Sequence, residues 1–178
     1  MKYRLLAIVL LITCYTLSQS NYRESLKAQS LSKEGLKEKL SKENSTYKKA
    51  VLCNTIGLKY QKEGDFDAAM SYHRKALNYS KKLGKVQERA ISLNKVGVVH
   101  YYKGDIDSAI YYFKASIPYY TDSRLKANSL NNLGLMYKLS QKPKEAIDQY
   151  LKALTLFKKV KDDVNQTKVL NNIAALQK

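Results

Sequence analysis

Between residues 46 and 178 apolar positions recur in one order three times over, each time as two helical stripes split by a short polar breaker. In the first copy Cys53, Ile56, Gly57 and Tyr60 follow at steps of three, one and three, which keeps them on one side of a helix. The breaker "EGDF" comes next, where Gly64 suits a left-handed helix stop and Asp65 the N-cap of a following helix. Ala69, Met70, His73, Ala76 and Leu77 make the second stripe. The second copy runs Leu93, Val96, Gly97, His100, then "KGDI" with Gly104, then Ala109, Ile110, Phe113, Ser116 and Ile117. The third runs Leu130, Leu133, Gly134, Tyr137, then "SQKP", then Ala146, Ile147, Tyr150, Ala153 and Leu154. Gly97 lies 40 residues after Gly57, Gly134 another 37 on, and Ala174 a further 40. This period predicts an all-α solenoid of antiparallel helix hairpins, with copies at 46–84, 86–122 and 123–162 and a half copy at 163–178.

Glycine inside a helix costs about 1 kcal/mol relative to alanine, so three in register predict close contact between the helices of each hairpin. Ala69, Ala109 and Ala146 offer the small surface expected opposite them. Pro143 fits the first turn of a helix and replaces the glycine device of the third breaker. Pro118 is expected to kink or end the second helix of copy two near "PYYTDS". Leu170, Ile173 and Leu176 are expected to cover the second helix of copy three, leaving one flank of the half copy open for weak self-association or fraying.

"AMSYHRKAL", "AIYYFKASI" and "AIDQYLKAL", with the "GD" turns and the small residue after a hydrophobe, resemble the tetratricopeptide repeat over residues 46–178. The repeat length resembles the longer-helix variety of kinesin light chains and of many bacterial repeat proteins. The resemblance implies a right-handed superhelical solenoid whose concave groove receives an extended segment of a protein partner. The implied structural signature is Gly57, Gly64, Ala69, Ala76, Gly97, Gly104, Ala109, Gly134, Ala146 and Ala153. Four asparagines stand three places before the small residue, namely Asn54, Asn94, Asn131 and Asn171. The resemblance puts this stripe in the groove, where an amide both donates to and accepts from a peptide backbone. Leu58, Val98, Leu135, Tyr101 and Tyr102 share the stripe and would supply specificity. The plainer alternative is that these asparagines are solvent-facing filler or cap a neighbouring turn. On the groove reading, alanine at Asn94 and Asn131 weakens a partner and leaves the fold intact. Leu58 stands where the relatives' carboxylate clamp wants asparagine, so capture of a C-terminus is not expected.

Charge adds little direction. The net charge is +17, but 27 of the 32 basic residues are lysines scattered along every segment, which predicts a solvated surface and permits an acidic partner. Nucleic-acid binding would rest on this charge alone. At the N-terminus Lys2 and Arg4 precede an apolar run from Leu5 to Leu17, the length of a secretory leader and short for a membrane span. Ser18 and Ser20 place cleavage before Asn21, so residues 1–20 are expected to be a signal peptide and the mature chain periplasmic or secreted. An uncleaved anchor, or lipidation at Cys14 in "LITC", are the alternatives. Residues 21–45, with Leu26, Leu31, Leu36 and Leu40 interrupted by Gly35, are expected to be a polar helix or a tether.

Catalysis is not expected. His73 and His100 fall on apolar stripes and are read as core residues, and Asp65, Asp67, Asp105 and Asp107 as turn and cap residues, so no metal and no cofactor are predicted. Cys53 is expected to be a buried small hydrophobe. The reading is a non-enzymatic, protein-binding scaffold of the cell envelope. Its alternative is the N-terminal sensing part of a truncated histidine kinase or transcription regulator of the same repeat type.

Overall fold

The computed structural model describes residues 30–84 and 86–176, so the leader, its cleavage site and Cys14 lie outside the described residues. The chain divides into two units at Lys42 and Glu43. In the first, α1 spans Lys33–Lys42, opened by Ser32, whose Oγ accepts from the Gly35 amide at 3.1 Å. Gly35 therefore sits inside the first turn and does not interrupt the helix. Leu36 is fully buried. The exposed Glu38–Lys42 pair at 2.6 Å adds little, because solvent screens it.

The second unit holds α2 (Thr46–Lys62), α3 (Phe66–Lys82), α4 (Val86–Tyr102), α5 (Ile106–Ser116), a 3-10 turn (Ile117–Tyr119), α6 (Ser123–Leu139), α7 (Pro143–Lys159) and α8 (Asp163–Ala174). Each helix packs on the next in sequence, and the first helices of successive copies, α2 with α4 and α4 with α6, also touch. The starts are capped by side chains: Ser45, Asp65, Asp105, Asp122 and Asp162 each accept from an amide three residues on. The stops of α2, α4, α6 and α7 share one hydrogen bond, from the residue after the left-handed position back to the carbonyl five residues earlier. It is Asp65 to Tyr60 at 3.0 Å, Asp105 to His100 at 2.9 Å, Lys142 to Tyr137 at 2.9 Å and Asp162 to Phe157 at 3.0 Å. Gly64 and Gly104 take the left-handed conformation at the ends of α2 and α4, whereas Gln141 and Lys161 take it at the ends of α6 and α7 with side chains attached. Pro143 begins α7 as its spacing implied.

Gly57, Gly97 and Gly134 face rings, which corrects the pairing with alanine. A Cβ on Gly57 would lie 2.7 Å from the His73 ring, one on Gly97 3.1 Å from Phe113, and one on Gly134 2.6 Å from Tyr150. Each glycine is the slot for the ring that stands 16 residues later in the second helix of its own hairpin. Ala69, Ala109 and Ala146 are buried close by but are not what the glycines accommodate.

Pro118 ends α5 after 11 residues, where α3 and α7 run for 17. The chain beyond it is pinned to α4: the Arg89 guanidinium lies 4.3 Å from the Tyr119 ring centre, and Gln87 Oε1 accepts from the Thr121 amide at 2.8 Å and from its hydroxyl at 3.0 Å.

At the far end Val169 is buried, and Ile173 and Leu176 pack on the core around Tyr150 and Phe157. Leu170 is 51% exposed, contrary to its expected covering role. Its counterparts Cys53, Leu93 and Leu130 are buried because a second helix follows them and packs on theirs; no described helix follows α8.

Candidate functional site

The asparagine stripe runs along the first helices of the copies, with Asn54 and Leu58 on α2, Asn94, Val98 and Tyr102 on α4, Asn131 and Leu135 on α6, and Asn171 on α8. Steps of four residues keep each set on one helical face. Val98 and Leu135 are half-buried against the core.

The amides are engaged between copies. Asn54 Nδ2 donates to Ser92 Oγ at 3.0 Å and Asn94 Nδ2 to Ser129 Oγ at 3.1 Å, so each amide of α2 and α4 reaches the equivalent serine of the next first helix. Val169 stands where the next serine would be, and there Asn172 Nδ2 donates to Asn131 Oδ1 at 2.9 Å instead. Asn171, the residue in register with the other three, is exposed. The asparagines thus form a ladder that sets one copy on another, a role neither solvent-facing filler nor a turn cap anticipates.

Two branches tie the ladder to the second helices. His73 Nδ1 lies 3.0 Å from Asn54 Oδ1. Because the amide nitrogen of Asn54 already serves Ser92, its oxygen accepts and the ring donates from Nδ1. His73 Nε2 is left buried without a partner, and burial, with the charge of Lys95, holds the ring's pKa down at about 3. The second branch is Ser129 to Ser116 at 2.7 Å, with Ser116 Oγ donating onward to the Phe113 carbonyl at 2.7 Å. Since Ser116 uses its one proton there, Ser129 donates to Ser116. Burial pushes the pKa of the Tyr120 hydroxyl up, with Ser116 and Ser129 acting in the opposite sense.

Of the other residues expected on the stripe, Tyr101 and Tyr102 divide. Tyr101 packs half-buried on the core, whereas Tyr102 is 54% exposed and stacks on Phe66 of the preceding copy with ring centres 5.3 Å apart. His73 is a core residue as its stripe implied, and His100 is largely buried too, its side chain 14% exposed. The His100 Nδ1 lies 3.0 Å from Asp105 Oδ2, the ring stacks on Tyr112 at 5.2 Å, and Nε2 is buried. Cys53 is fully buried, and burial pushes its thiol up to about 11, so it stays protonated and packs as a hydrophobe.

The residue the stripe hides is Lys95. It follows Asn94, where the other copies carry Thr55, Asn132 and Asn172. Lys95 is half-buried; burial, and then the charge of Lys62 on α2, pull its pKa below the usual lysine range. No carboxylate pairs with it among the described residues. Among 27 lysines scattered along the chain, only the break in the Thr/Asn/Asn series marks this one in the sequence.

The sequence matches the tetratricopeptide repeat over residues 47–122 and again over 127–160, the second match being of the kinesin-light-chain-like type. No curated protein matches it. The fold is similar to that of BtubC (BKLC) from P. vanneervenii, with a TM-score of 0.69 and 18% identity over 91% of this chain. This chain spans 65% of the length of BtubC. It is similar also to the N-terminal domain of stress-induced protein-1 (STI-1) from C. elegans, with a TM-score of 0.61 and 14% identity over 76% of this chain and 100% of that one. Identities this low speak for the fold alone, but the glycine slots, the capped turns and the two sequence matches agree. The chain belongs to the tetratricopeptide repeat family.

Proposed function

We propose that the chain is a protein-binding scaffold that takes an extended partner segment along the stripe of α2, α4 and α6, with an acidic side chain of that segment against Lys95 and Lys62. One observation carries this reading. Lys95 is a desolvated cation beside a second cation, with no anion among the described residues to offset it. A buried charge without a counter-charge destabilises a fold, and a partner's carboxylate arriving there removes that penalty on binding. The repeat family supplies the general role, since its domains bind protein or peptide partners. Along the stripe, Asn94 Oδ1, the second amide hydrogen of Asn54 and of Asn94, and the amide nitrogen of Asn131 are the groups left over for a backbone.

Alanine at Asn94 and Asn131 does not isolate this function, because both amides also join copies. Each lost hydrogen bond costs about 0.5 to 1.5 kcal/mol, so stability falls together with binding, against the expectation from sequence that the fold is untouched. Lys95→Met separates the two. It keeps the length of the side chain, removes the desolvated charge, and is expected to raise the melting temperature while weakening a captured partner about tenfold. The partner is obtained by affinity capture from a cell-envelope extract and its binding to both forms measured by calorimetry. Equal affinity of the two forms, with the melting temperature raised, would leave Lys95 outside the partner site.

The envelope extract follows from the second part of the proposal, export through the leader at residues 1–20. Its support is the charged start, the apolar run and the small residues Ser18 and Ser20. N-terminal sequencing of the mature protein is expected to begin at Asn21; a product beginning at Met1 rejects cleavage, and one beginning at a lipidated Cys14 replaces it with an anchor.

A further inference from the structure

The shortening of α5 has a chemical consequence on a different face from the asparagine stripe. Where α3 and α7 continue for 17 residues, α5 stops at Ser116 and leaves a recess of about 560 Å³ between its end, α6 and α7. Ile117, Pro118, Leu130, Leu133 and Leu156 make it apolar, and Lys114, Lys126 and Lys152 surround it, one from each of the three helices. No acidic side chain lines it. Lys152 is paired with Asp148 at 2.6 Å, but Lys114 and Lys126 have no carboxylate partner among the described residues. The opening is built into the fold: the Tyr119 stack on Arg89 and the Thr121 bonds to Gln87 hold the chain after Pro118 against α4, away from the gap.

We infer that this recess is a second docking site, for a partner segment that presents one bulky apolar side chain flanked by carboxylates. Charge complementarity decides the flanks, since an apolar floor ringed by three lysines, two of them without a carboxylate partner, repels basic segments and attracts acidic ones. Depth decides the anchor. Leu130 and Leu133 under the recess are only 5% and 2% exposed, so the floor is already closed and accepts a single side chain; an acyl chain needs a channel that runs on beneath it. Three lysines on three sides, instead of one cation at a mouth, also suit carboxylates before and after the anchor. This site is independent of the stripe proposed above.

The test uses the chain with nitrogen-15 labelling and a blocked synthetic peptide carrying one leucine with two glutamates on each side. Chemical-shift changes are expected at Ile117, Leu130 and Leu156, with a dissociation constant on the order of 1 mM. Replacing the leucine of the peptide by serine is expected to weaken binding about tenfold or more. The charge reversal Lys114→Glu with Lys126→Glu is expected to do the same at unchanged helicity, and Thr155→Trp, which fills the recess without altering charge, to abolish it. Lys95→Met is expected to leave this binding unchanged. Three results overturn the inference: no shifts at any attainable peptide concentration, shifts confined to the stripe around Asn94, or recess shifts produced by dodecanoate and not by the peptide.

Discussion

Replacing Gly134 by alanine is expected to destabilise the array by about 1 to 3 kcal/mol, whereas the same change at Gly97 is expected to be close to neutral. A Cβ on Gly134 would stand 2.6, 2.7 and 3.1 Å from three atoms of the Tyr150 ring. Tyr150 is fully buried between its neighbours, so the ring has no room to withdraw, and the strain passes to the backbone of the hairpin. Against this stands the gain of about 1 kcal/mol from removing a glycine inside a helix. At Gly97 the corresponding contacts are 3.1 to 3.2 Å, with Phe113 and with the Cβ of Tyr112, and a shift of a few tenths of an ångström accommodates the methyl. There the propensity gain and the packing loss nearly cancel. Gly57 belongs with Gly134, since three His73 ring atoms lie within 2.9 Å and the ring is held by Asn54. Urea denaturation of the three single variants gives the order. A second change, Tyr150→Leu in the Gly134→Ala background, is expected to recover part of the loss; if it does not, the slot is not the cause.

Acidification from pH 6.5 to pH 4.5 is expected to remove about 2 to 3 kcal/mol of stability through His73 alone. In the fold the imidazole has its pKa lowered to about 3 by burial, with the charge of Lys95 acting in the same sense. The unfolded chain takes up the proton near pH 6.5, the folded chain only near 3, so between those values the unfolded state binds more protons. Stability therefore rises with pH across this window, is complete above about 6.5, and is lost at up to about 1.4 kcal/mol per pH unit below it. A second loss sets in lower down. Asp67, Asp105 and Asp162 are held below the usual carboxylate range, chiefly by hydrogen bonds with Lys103, Ser108 and Asn165, and the stability they contribute disappears as pH falls through their folded values. His73→Phe puts at this position the ring that Phe113 places in the next copy. Thermal melts of the variant at a series of pH values are expected to lose the slope between 6.5 and 4.5 and keep the lower one. An unchanged slope would assign the effect to another group.

The period of the array, its two helices per copy and the places of its turns were legible in the residues themselves. Small residues in register and acidic caps after the breakers act through local geometry, and local geometry is written in the chain. Gln141 and Lys161 show the limit of that rule. They adopt the left-handed stop without glycine because the hydrogen bond to the carbonyl five residues back and the packing of the following helix hold them there. The end of α5 was legible too, from Pro118, but not the recess it leaves. That depends on the length of the neighbouring α7 and on where Gln87 and Arg89 hold the outgoing chain.

By itself, then, the sequence determined which segments are helices, which face of each is apolar and that the copies repeat, because these follow from period, propensity and capping within a few residues. What the asparagines do was decided by the tertiary structure alone. Their recurrence announced a role, but whether an amide turns to a bound peptide or to the next copy depends on a serine 35 to 38 residues away being within 3.1 Å. The same holds for Lys95, one lysine among 27, which becomes chemically distinct only when the packing of α2 and α4 takes it out of water beside Lys62. Desolvation and hydrogen-bond partnership belong to pairs of residues brought together by the fold, and no property of either residue in sequence contains them.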